Sequence, residues 1–268
     1  LFFGIPTALV EAQVTPDESL PTTVQQEGNT LNINGGEREG DNLFHSFEEF
    51  SVPERIEAVF ENAPDIENIF TRITGESAST INGILRTQGG ANFFLINPNG
   101  IIFGENASLD VGGSFIATTA DSVNFVDATE FTAKNAESEP ILTISVPIGL
   151  NLGNNPGNIV NNSVANDVGL QVLPGKNISL IGGNINLDRG LITAPGGKVE
   201  LGGLAAPGMI AIDEDSSFSF PQEVAKADIT LSNGAVTNVR STGGGNITIN
   251  ARNLDLPASS FLKAGINQ

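Results

Sequence analysis

The sequence predicts an all-β chain that folds as a right-handed parallel β-helix, with an amino-terminal β cap and small β elements outside the helix. Short apolar runs of alternating pattern follow one another through most of the chain, which is typical of strands. Glycine is abundant, at 31 of 268 residues, and separates those runs. The pair Gly182 and Gly183 stands twenty residues before the pair Gly202 and Gly203. Three short strands fit between the two pairs, as one coil of a triangular solenoid requires.

The composition limits the functions open to the chain. Its formal net charge is -19, from 31 acidic and 12 basic side chains, so phosphate repels it. We therefore expect neither nucleic-acid binding nor stable membrane insertion. The chain has no cysteine, which excludes disulfides, thiolate metal sites and thiol nucleophiles. We predict no cofactor and no metal, and 39% hydrophobic residues are enough for a folded core.

Residues 1–12 predict the remnant of a signal peptide. Their apolar run is shorter than the ~20 residues of a membrane-spanning helix. Val10 and Ala12 occupy the two small-residue positions of a cleavage site, so we predict cleavage after Ala12. The alternative is an apolar strand that packs on the core. Residues 13–268 then form a single elongated domain.

Residues 13–36 are expected to form a lead-in and a cap strand. The polar stretch of residues 13–30 predicts a poorly ordered or extended lead-in. Leu31 and Ile33 alternate with asparagines before Gly35 and Gly36, which predicts a strand that ends in a turn. The open end of a β-helix exposes unpaired backbone groups, so we assign this strand and its neighbours to the cap.

Residues 37–106 are expected to complete the cap and form the first coils. Ile66, Ile69, Phe70 and Ile73 have the spacing of an amphipathic helix. Prolines and glycines interrupt the region, and strand patterns follow it, so we predict strands here instead.

Residues 107–268 are expected to form further coils that continue into a longer protein. Isoleucine, leucine and valine should point inward and stack on the next coil, whereas Ser179, Asn186 and Glu200 should point outward. Asparagines at the corners can form ladders of side-chain hydrogen bonds between coils. Residues 261–266 keep the same pattern.

Residues 97–101 have the chemistry of a turn. Pro98 fixes φ, Asn99 and Gly100 accept positive φ, and Asn97 can close an Asx turn. Ile101 then opens the next apolar run. The segment should form a rigid corner between two strands.

Several segments resemble the filamentous-haemagglutinin-type secretion domain of bacterial two-partner secretion. Their amino-acid sequence resembles the cyanobacterial branch of this family. The resemblance covers about residues 29–204. It is carried by residues 34–36, 42–50, 92–104, 107–115 and 193–203.

The resemblance implies a secretion-targeting domain of a large surface or secreted exoprotein. The periplasmic POTRA domains of a dedicated outer-membrane β-barrel transporter would recognise this domain. Export would follow a signal peptide through the periplasm, without nucleotide hydrolysis at the outer membrane. Folding at the cell surface would then propagate from the completed cap, coil by coil. We expect a monomer without enzymatic activity.

The resemblance also nominates residues that contact the transporter. Residues 97–101 match the family's best-known motif, and a second family motif, Asn-Pro-Asn-Leu, is absent as such. For residues 97–101 two interpretations stay open: recognition, or a corner that only positions a coil. The nominated residues are Asn42, Leu43, Phe44, His45, Phe47, Asn97, Pro98, Asn99, Gly100 and Ile101.

His45 is the only histidine of the chain. Without a cysteine or a second histidine it cannot form a typical transition-metal site, and no serine motif pairs with it. We predict that it is a polar member of the cap interface.

A polysaccharide-binding or polysaccharide-cleaving β-helix and a direct adhesin are the alternative functions. Glu48 and Glu49 are strand neighbours that point to opposite faces, so they cannot form one acid/base pair. The chain also has no Trp or Tyr to stack on sugar rings. The run Asp213, Glu214 and Asp215 lacks the spacing of a calcium loop and predicts a solvated turn. A polysaccharide enzyme requires a cleft with two or more convergent acidic side chains.

Overall fold

The computed structural model describes residues 13–134, 140–257 and 259–266, and in them the chain is a parallel β-helix. The predicted fold class is confirmed. These residues form 29 strands and a single 3-10 turn at Ala165–Asp167. Within these ranges no helix is long and apolar enough to cross a bilayer. The predicted signal-peptide remnant, residues 1–12, lies outside the described residues.

Each coil runs from a long sheet to a second face and then to a third face, and neighbouring coils pair in parallel. The coil strands of the long sheet are β5 (Asn42–Ser51), β7 (Asn68–Ile73), β10 (Asn92–Ile96), β13 (Phe115–Thr118), β19 (Ile178–Gly182), β22 (Lys198–Gly203) and β27 (Asn246–Asn250). The second face has β8 (Ser79–Ile81), β11 (Ile101–Phe103), β17 (Ile159–Asn161), β20 (Ile185–Asp188), β25 (Ile229–Ser232) and β28 (Leu254–Asp255). The third face consists of two sheets, which do not pair with each other. One has β3 (Thr30–Gly35), β6 (Glu57–Phe60), β9 (Ile84–Thr87) and β12 (Ser108–Asp110), and the other has β18 (Leu170–Gln171), β21 (Leu191–Thr193), β26 (Val236–Asn238) and β29 (Phe261–Lys263).

The interior of the helix is filled by columns of side chains in register from coil to coil. Phe93, for example, stands opposite Phe115 in the next coil, and their rings stack with centroids 6.1 Å apart. Burial of one such side chain contributes about 1.5–3 kcal/mol. The glycine pairs at 182–183 and 202–203 bound β20, β21 and β22, as the twenty-residue spacing predicted.

The amino-terminal end of the helix is covered by antiparallel strands. β1 (Gln13–Pro16) pairs with the second half of β5, and β4 (Glu37–Glu39) pairs with its first half. β2 (Thr22–Glu27) pairs with β3. Of the two expectations for residues 13–30, poorly ordered or extended, the structure shows the extended one, because these polar residues form edge strands with one exposed face. β3 itself starts the parallel stack of the third face, so β1, β2 and β4 are the cap.

Two insertions leave the helix after β13 and after β22 and form an antiparallel sheet outside it, which we call the outer sheet. Its strands are β14 (Ser122–Phe125), β15 (Glu130–Thr132), β16 (Pro147–Leu152), β23 (Gly208–Ile212) and β24 (Phe218–Ser219), in the order β15-β14-β16-β23-β24. The outer sheet packs on the long sheet and creates a second core. In it Phe70 stacks between Phe44 and Phe94, with centroids 5.1 and 4.6 Å away.

The second core explains why residues 66–73 show helical spacing. Ile69 and Ile73 point into the helix, whereas Phe70 points outward into the second core. A strand that is buried on both faces loses its alternation, so apolar residues at neighbouring positions imitate a helical pattern. The predicted strand is confirmed as β7.

The outer sheet also changes the environment of two residues that were expected to face solvent. Ser179 and Glu200 stand next to each other on the outward face of the long sheet, but both are buried. The backbone N–H of Phe218 in β24 donates to Glu200 Oε1 at 3.4 Å. Burial raises the pKa of Glu200, and this hydrogen bond opposes the rise. Asn186 is exposed, as expected.

Candidate functional site

An asparagine ladder begins each of the first coil strands of the long sheet. Asn68 Nδ2 donates to Asn42 Oδ1 at 3.0 Å, and Asn92 Nδ2 donates to Asn68 Oδ1 at 3.1 Å. Asn42 Nδ2 donates in turn to the carbonyl oxygens of Thr143 and Ser145. The predicted ladder is confirmed, and Asn42 joins it to the insertion that carries the outer sheet.

Residues 97–101 form the corner between β10 and β11. Asn97 is fully buried. Its Oδ1 accepts from the backbone N–H of Asn99 at 3.0 Å, which is the Asx turn predicted from the sequence. Its Nδ2 donates to the carbonyl of Ser77 and to Ser79 Oγ, both at 3.0 Å. Asn97 therefore ties its own corner to the preceding coil.

The backbone of the same corner also contacts the next coil of the stack. Pro98 O accepts from the backbone N–H of Gly157 at 3.0 Å. A Cβ on Gly157 would lie 2.5 Å from the nitrogen of Gly100, so the two backbones can only touch if residue 157 is glycine. Of the two residues expected to accept positive φ, Gly100 adopts it, with φ +124°, and Asn99 does not.

Most of the nominated residues are buried in the folded domain. In the corner, Asn99 alone is exposed, and its Nδ2 donates to the carbonyl of Gly75 at 2.7 Å. Leu43 and Phe47 point into the helix, and Phe44 belongs to the second core. The structure thus separates the nominated residues into two buried groups, one near the cap and one at the corner.

His45 belongs to β5 in the first coil and contacts the cap strand β2. Its Nδ1 is 3.2 Å from the hydroxyl of Thr22 in β2, and its ring packs edge-on against Phe60. The side chain is almost completely buried. Desolvation lowers the pKa of His45 to about 3, so the imidazole is neutral in the folded domain at neutral pH.

Sequence reasoning missed a buried polar cluster around Arg72, which is only 1% exposed. Arg72 Nε donates to Ser46 Oγ at 2.7 Å, and Nη2 donates to Ser19 Oγ at 2.9 Å. Nη1 donates to the carbonyl of Thr132 in the outer sheet at 2.7 Å. The guanidinium also lies 4.7 Å from the ring centroid of Phe131. The one charged residue of β7, which stands directly before Ile73 in a strand that Ile69 and Phe70 mark as buried, is the signal that could have found it.

Asp17 is the acidic member of the Arg72 cluster. It accepts from Ser46 Oγ at 2.6 Å, from Thr74 Oγ1 at 2.7 Å and from the hydroxyl of Ser19. Burial raises the pKa of Asp17, but these hydrogen bonds outweigh burial and hold the pKa below its usual value. Burial lowers the pKa of Arg72, and the charge of Asp17 partly restores it. The cluster therefore connects the lead-in, the first two coils and the outer sheet.

The structure offers little catalytic or metal-binding chemistry. In the described ranges no three His, Asp or Glu side chains are grouped to hold a metal ion. Glu48 is exposed and Glu49 half-buried. Asp213, Glu214 and Asp215 lie on an exposed turn, where Asp213 accepts from the hydroxyls of Ser217 and Ser219.

Asn97→Ala should lower the free energy of unfolding by about 1–2 kcal/mol, because it removes buried hydrogen bonds and leaves Ser77 O without its donor. Asn99→Ala is the matched control and should cost less, since Asn99 is exposed and loses one bond. Urea denaturation monitored by circular dichroism measures both. Equal losses for the two variants would contradict a structural role for the burial of Asn97.

Comparison with known proteins agrees with this architecture. The model of the TPS secretion domain family matches residues 12–250. The fold is similar to the crystal structure of the HMW1 secretion domain from Haemophilus influenzae, with a TM-score of 0.62 and 22% identity, covering 96% of this chain and 67% of that one. The filamentous hemagglutinin secretion domain matches with a TM-score of 0.42 and 15% identity, over 94% of this chain and 99% of that one. A search of curated proteins found no match.

Proposed function

Because this chain belongs to the TPS secretion domain family, we propose that it directs a larger exoprotein to a cognate outer-membrane transporter by binding the POTRA domains of that transporter. Membership in this family makes the chain a secretion domain of two-partner secretion. Such a domain implies a secreted protein and a dedicated transporter partner. The contact with POTRA domains and the order of events are the proposal.

The burial of the nominated residues is the observation that supports a binding step before folding. Asn97, Pro98, Gly100 and Ile101 are inaccessible to a partner in the folded domain, as are Leu43, Phe44, His45 and Phe47. In an unfolded chain the same segments are exposed. The transporter would therefore bind these segments while residues 13–106 are extended in the periplasm.

Folding would then compete with the transporter for the same residues. Completion of the cap withdraws residues 42–51 into β5, and formation of the second and third coils withdraws residues 92–103. A ligand that binds only the unfolded state loses its site as the folded population rises. Coil-by-coil stacking from the cap would thus release the domain and make its passage irreversible.

The remaining features of the proposal are a signal peptide in residues 1–12, passage through the periplasm, a monomeric domain and no catalysis. A family of secretion domains does not favour the polysaccharide-cleaving alternative. A direct adhesin has no observation of its own in its favour.

The proposal is tested by a pull-down with purified POTRA domains. Leu180→Asp places a charge in the fully buried core of β19 and leaves residues 13–106 unchanged, so it should unfold the domain. The unfolded variant should bind at least about tenfold more tightly than the folded wild type. Circular dichroism verifies that it is unfolded, and Leu201→Asp serves as a second unfolded variant.

The matched control replaces Asn97, Pro98 and Asn99 by alanine within the Leu180→Asp background. Because the domain is already unfolded in this background, the three replacements cannot act by changing its stability. Any loss of binding therefore reports on recognition by the POTRA domains. We expect the triple replacement to weaken binding by about tenfold. Failure of every variant to bind would contradict recognition by POTRA domains, and equal binding of folded and unfolded chains would contradict recognition before folding.

A further inference from the structure

A cleft opens between the long sheet, at the side of its asparagine ladder, and the end of the outer sheet where β16 begins and β23 ends. Its volume is about 520 Å³. Asn68, Asn92, Ser114 and Asn177 lie along its polar side, each at or directly before the start of one of four successive coil strands of the long sheet. At about 4.8 Å between neighbouring strands, these residues extend over roughly 14 Å along the helix axis.

The opposite wall is an apolar face that the fold leaves uncovered. The apolar residues of β16 and its approach change from buried to exposed towards the amino-terminal end of the strand, where the pairing with β14 has a bulge at Ile148. Leu152 and Leu150 are buried in the second core, at 1% and 0% exposure, whereas Ile148 and Val146 are 38% and 61% exposed. Ile148 and Val146 therefore lie beyond the second core, and they line the cleft together with Val126 and Ile212. Exposed apolar side chains grouped on one wall of a concave cleft, opposite polar side chains, are typical of a binding site.

Charge decides what kind of partner the cleft accepts. Asp213 and Glu214 lie in its lining, and the described residues of that lining include no Lys, Arg or His. Glu214 is exposed on the turn between β23 and β24. The whole chain carries -19, so a second copy of it would be repelled. A basic partner would be attracted.

We propose that this cleft binds an extended peptide segment of the transporter in which apolar side chains alternate with lysine or arginine. The apolar side chains would pack on Val146, Ile148 and Val126, and the basic ones would meet Asp213 and Glu214. A strand rises about 3.3 Å per residue, so the 14 Å of the ladder accommodate four or five residues. The identity of the partner rests on the proposed function. The cleft exists only in the folded domain, so this contact follows export and holds the folded domain at the cell surface.

The chemistry of the cleft is tested with fluorescein-labelled peptides of about eight residues and the folded domain, by fluorescence polarisation. A peptide of alternating valine and lysine should bind, and peptides of alternating valine and glutamate or serine and lysine should bind at least about tenfold more weakly. Val146→Ser and Glu214→Lys should each weaken the valine–lysine peptide at least about fivefold. Absence of binding, or equal binding of the serine–lysine peptide, would overturn the inference.

Two matched variants control for general changes of the surface. Met209→Ser removes an apolar side chain that is 50% exposed and lies outside the cleft lining. Glu27→Lys makes the same charge change at the exposed end of β2. Both should leave peptide affinity within about twofold of the wild type, because neither touches the cleft. A loss as large as that of Val146→Ser would show that the peptide binds elsewhere.

The source of the segment is tested with the purified transporter in detergent. The folded wild-type domain should be captured, and Val146→Ser with Glu214→Lys should reduce capture at least about fivefold. Unchanged capture would overturn the assignment to the transporter, while the proposed binding of the unfolded chain by POTRA domains would stand, because it is measured separately. Sedimentation of the domain alone provides the other arm: a dimer that Val146→Ser dissociates would overturn the inference in favour of a second copy.

Discussion

Asp17→Ala should lower the free energy of unfolding by about 2–4 kcal/mol, although Asp17 precedes the first coil. Arg72 is 1% exposed, and its charge is compensated by Asp17 through the hydroxyls of Ser46 and Ser19. Removal of one partner of a buried charged pair leaves the other charge uncompensated in a poorly solvating environment. The lower part of the range allows for the half-buried position of Asp17. Urea denaturation near neutral pH measures the loss.

A double-mutant cycle separates the charge interaction from the packing of each side chain. Arg72→Met keeps most of the volume of the side chain and removes the buried charge, so the double variant should be more stable than Asp17→Ala alone. Asp65→Ala is the matched control, because Asp65 pairs with Arg38 at the exposed surface and should matter little. If the losses of Asp17→Ala and Arg72→Met simply add, the two groups are not coupled.

The Arg72 cluster also bears on the order of folding. Its members come from the lead-in, β5, β7 and, through the carbonyl of Thr132, from β15 in the first insertion. The cap therefore reaches its full stability only after Thr132 in β15 of the outer sheet has taken its place beside Arg72. We infer that the first two coils and the first insertion stabilise the cap, so that stacking from the cap becomes stable once the first insertion has folded.

The coils could be predicted from the sequence because their strands and turns are determined by residues that are close together in the chain. Alternating apolar residues, paired glycines and a twenty-residue spacing determine three short strands per coil, and β20, β21 and β22 follow that pattern. The Asx turn at Asn97 and the asparagine ladder are also local or repeat from coil to coil. These features require no knowledge of distant contacts.

The outer sheet could not be predicted in the same way. Its strands alternate like those of the coils, and nothing in the period of a pattern says which layer a strand joins. Ser179 and Glu200 were therefore placed in solvent, although Phe218 covers Glu200 from eighteen residues further along the chain. The sequence left open whether residues 13–30 are poorly ordered or extended for a related reason: polar edge strands resemble a disordered segment when their partner is unknown.

Acid should destabilise the domain through His45 well before most carboxylates are protonated. In the unfolded chain His45 has an ordinary pKa near 6.5, whereas burial lowers its pKa in the folded domain to about 3. Between these values the unfolded state binds one proton more than the folded state, so stability falls as the pH decreases. The full contribution is present above about pH 6.5, and the loss at pH 4.5 should reach about 3 kcal/mol.

His45→Asn separates this effect from the titration of the acidic side chains. Asparagine keeps a polar group near the hydroxyl of Thr22 but does not titrate, so the variant should be less stable at pH 7 and should lose less between pH 7 and pH 4.5. Because His45 lies under β2, the amides of residues 22–27 should lose protection in hydrogen exchange at pH 4.5 before those of β22. If the wild type and His45→Asn lose equal stability over this range, burial of a neutral imidazole is not the cause. Equal loss of protection in β2 and β22 would mean that the domain opens as a whole, and that the cap does not yield first.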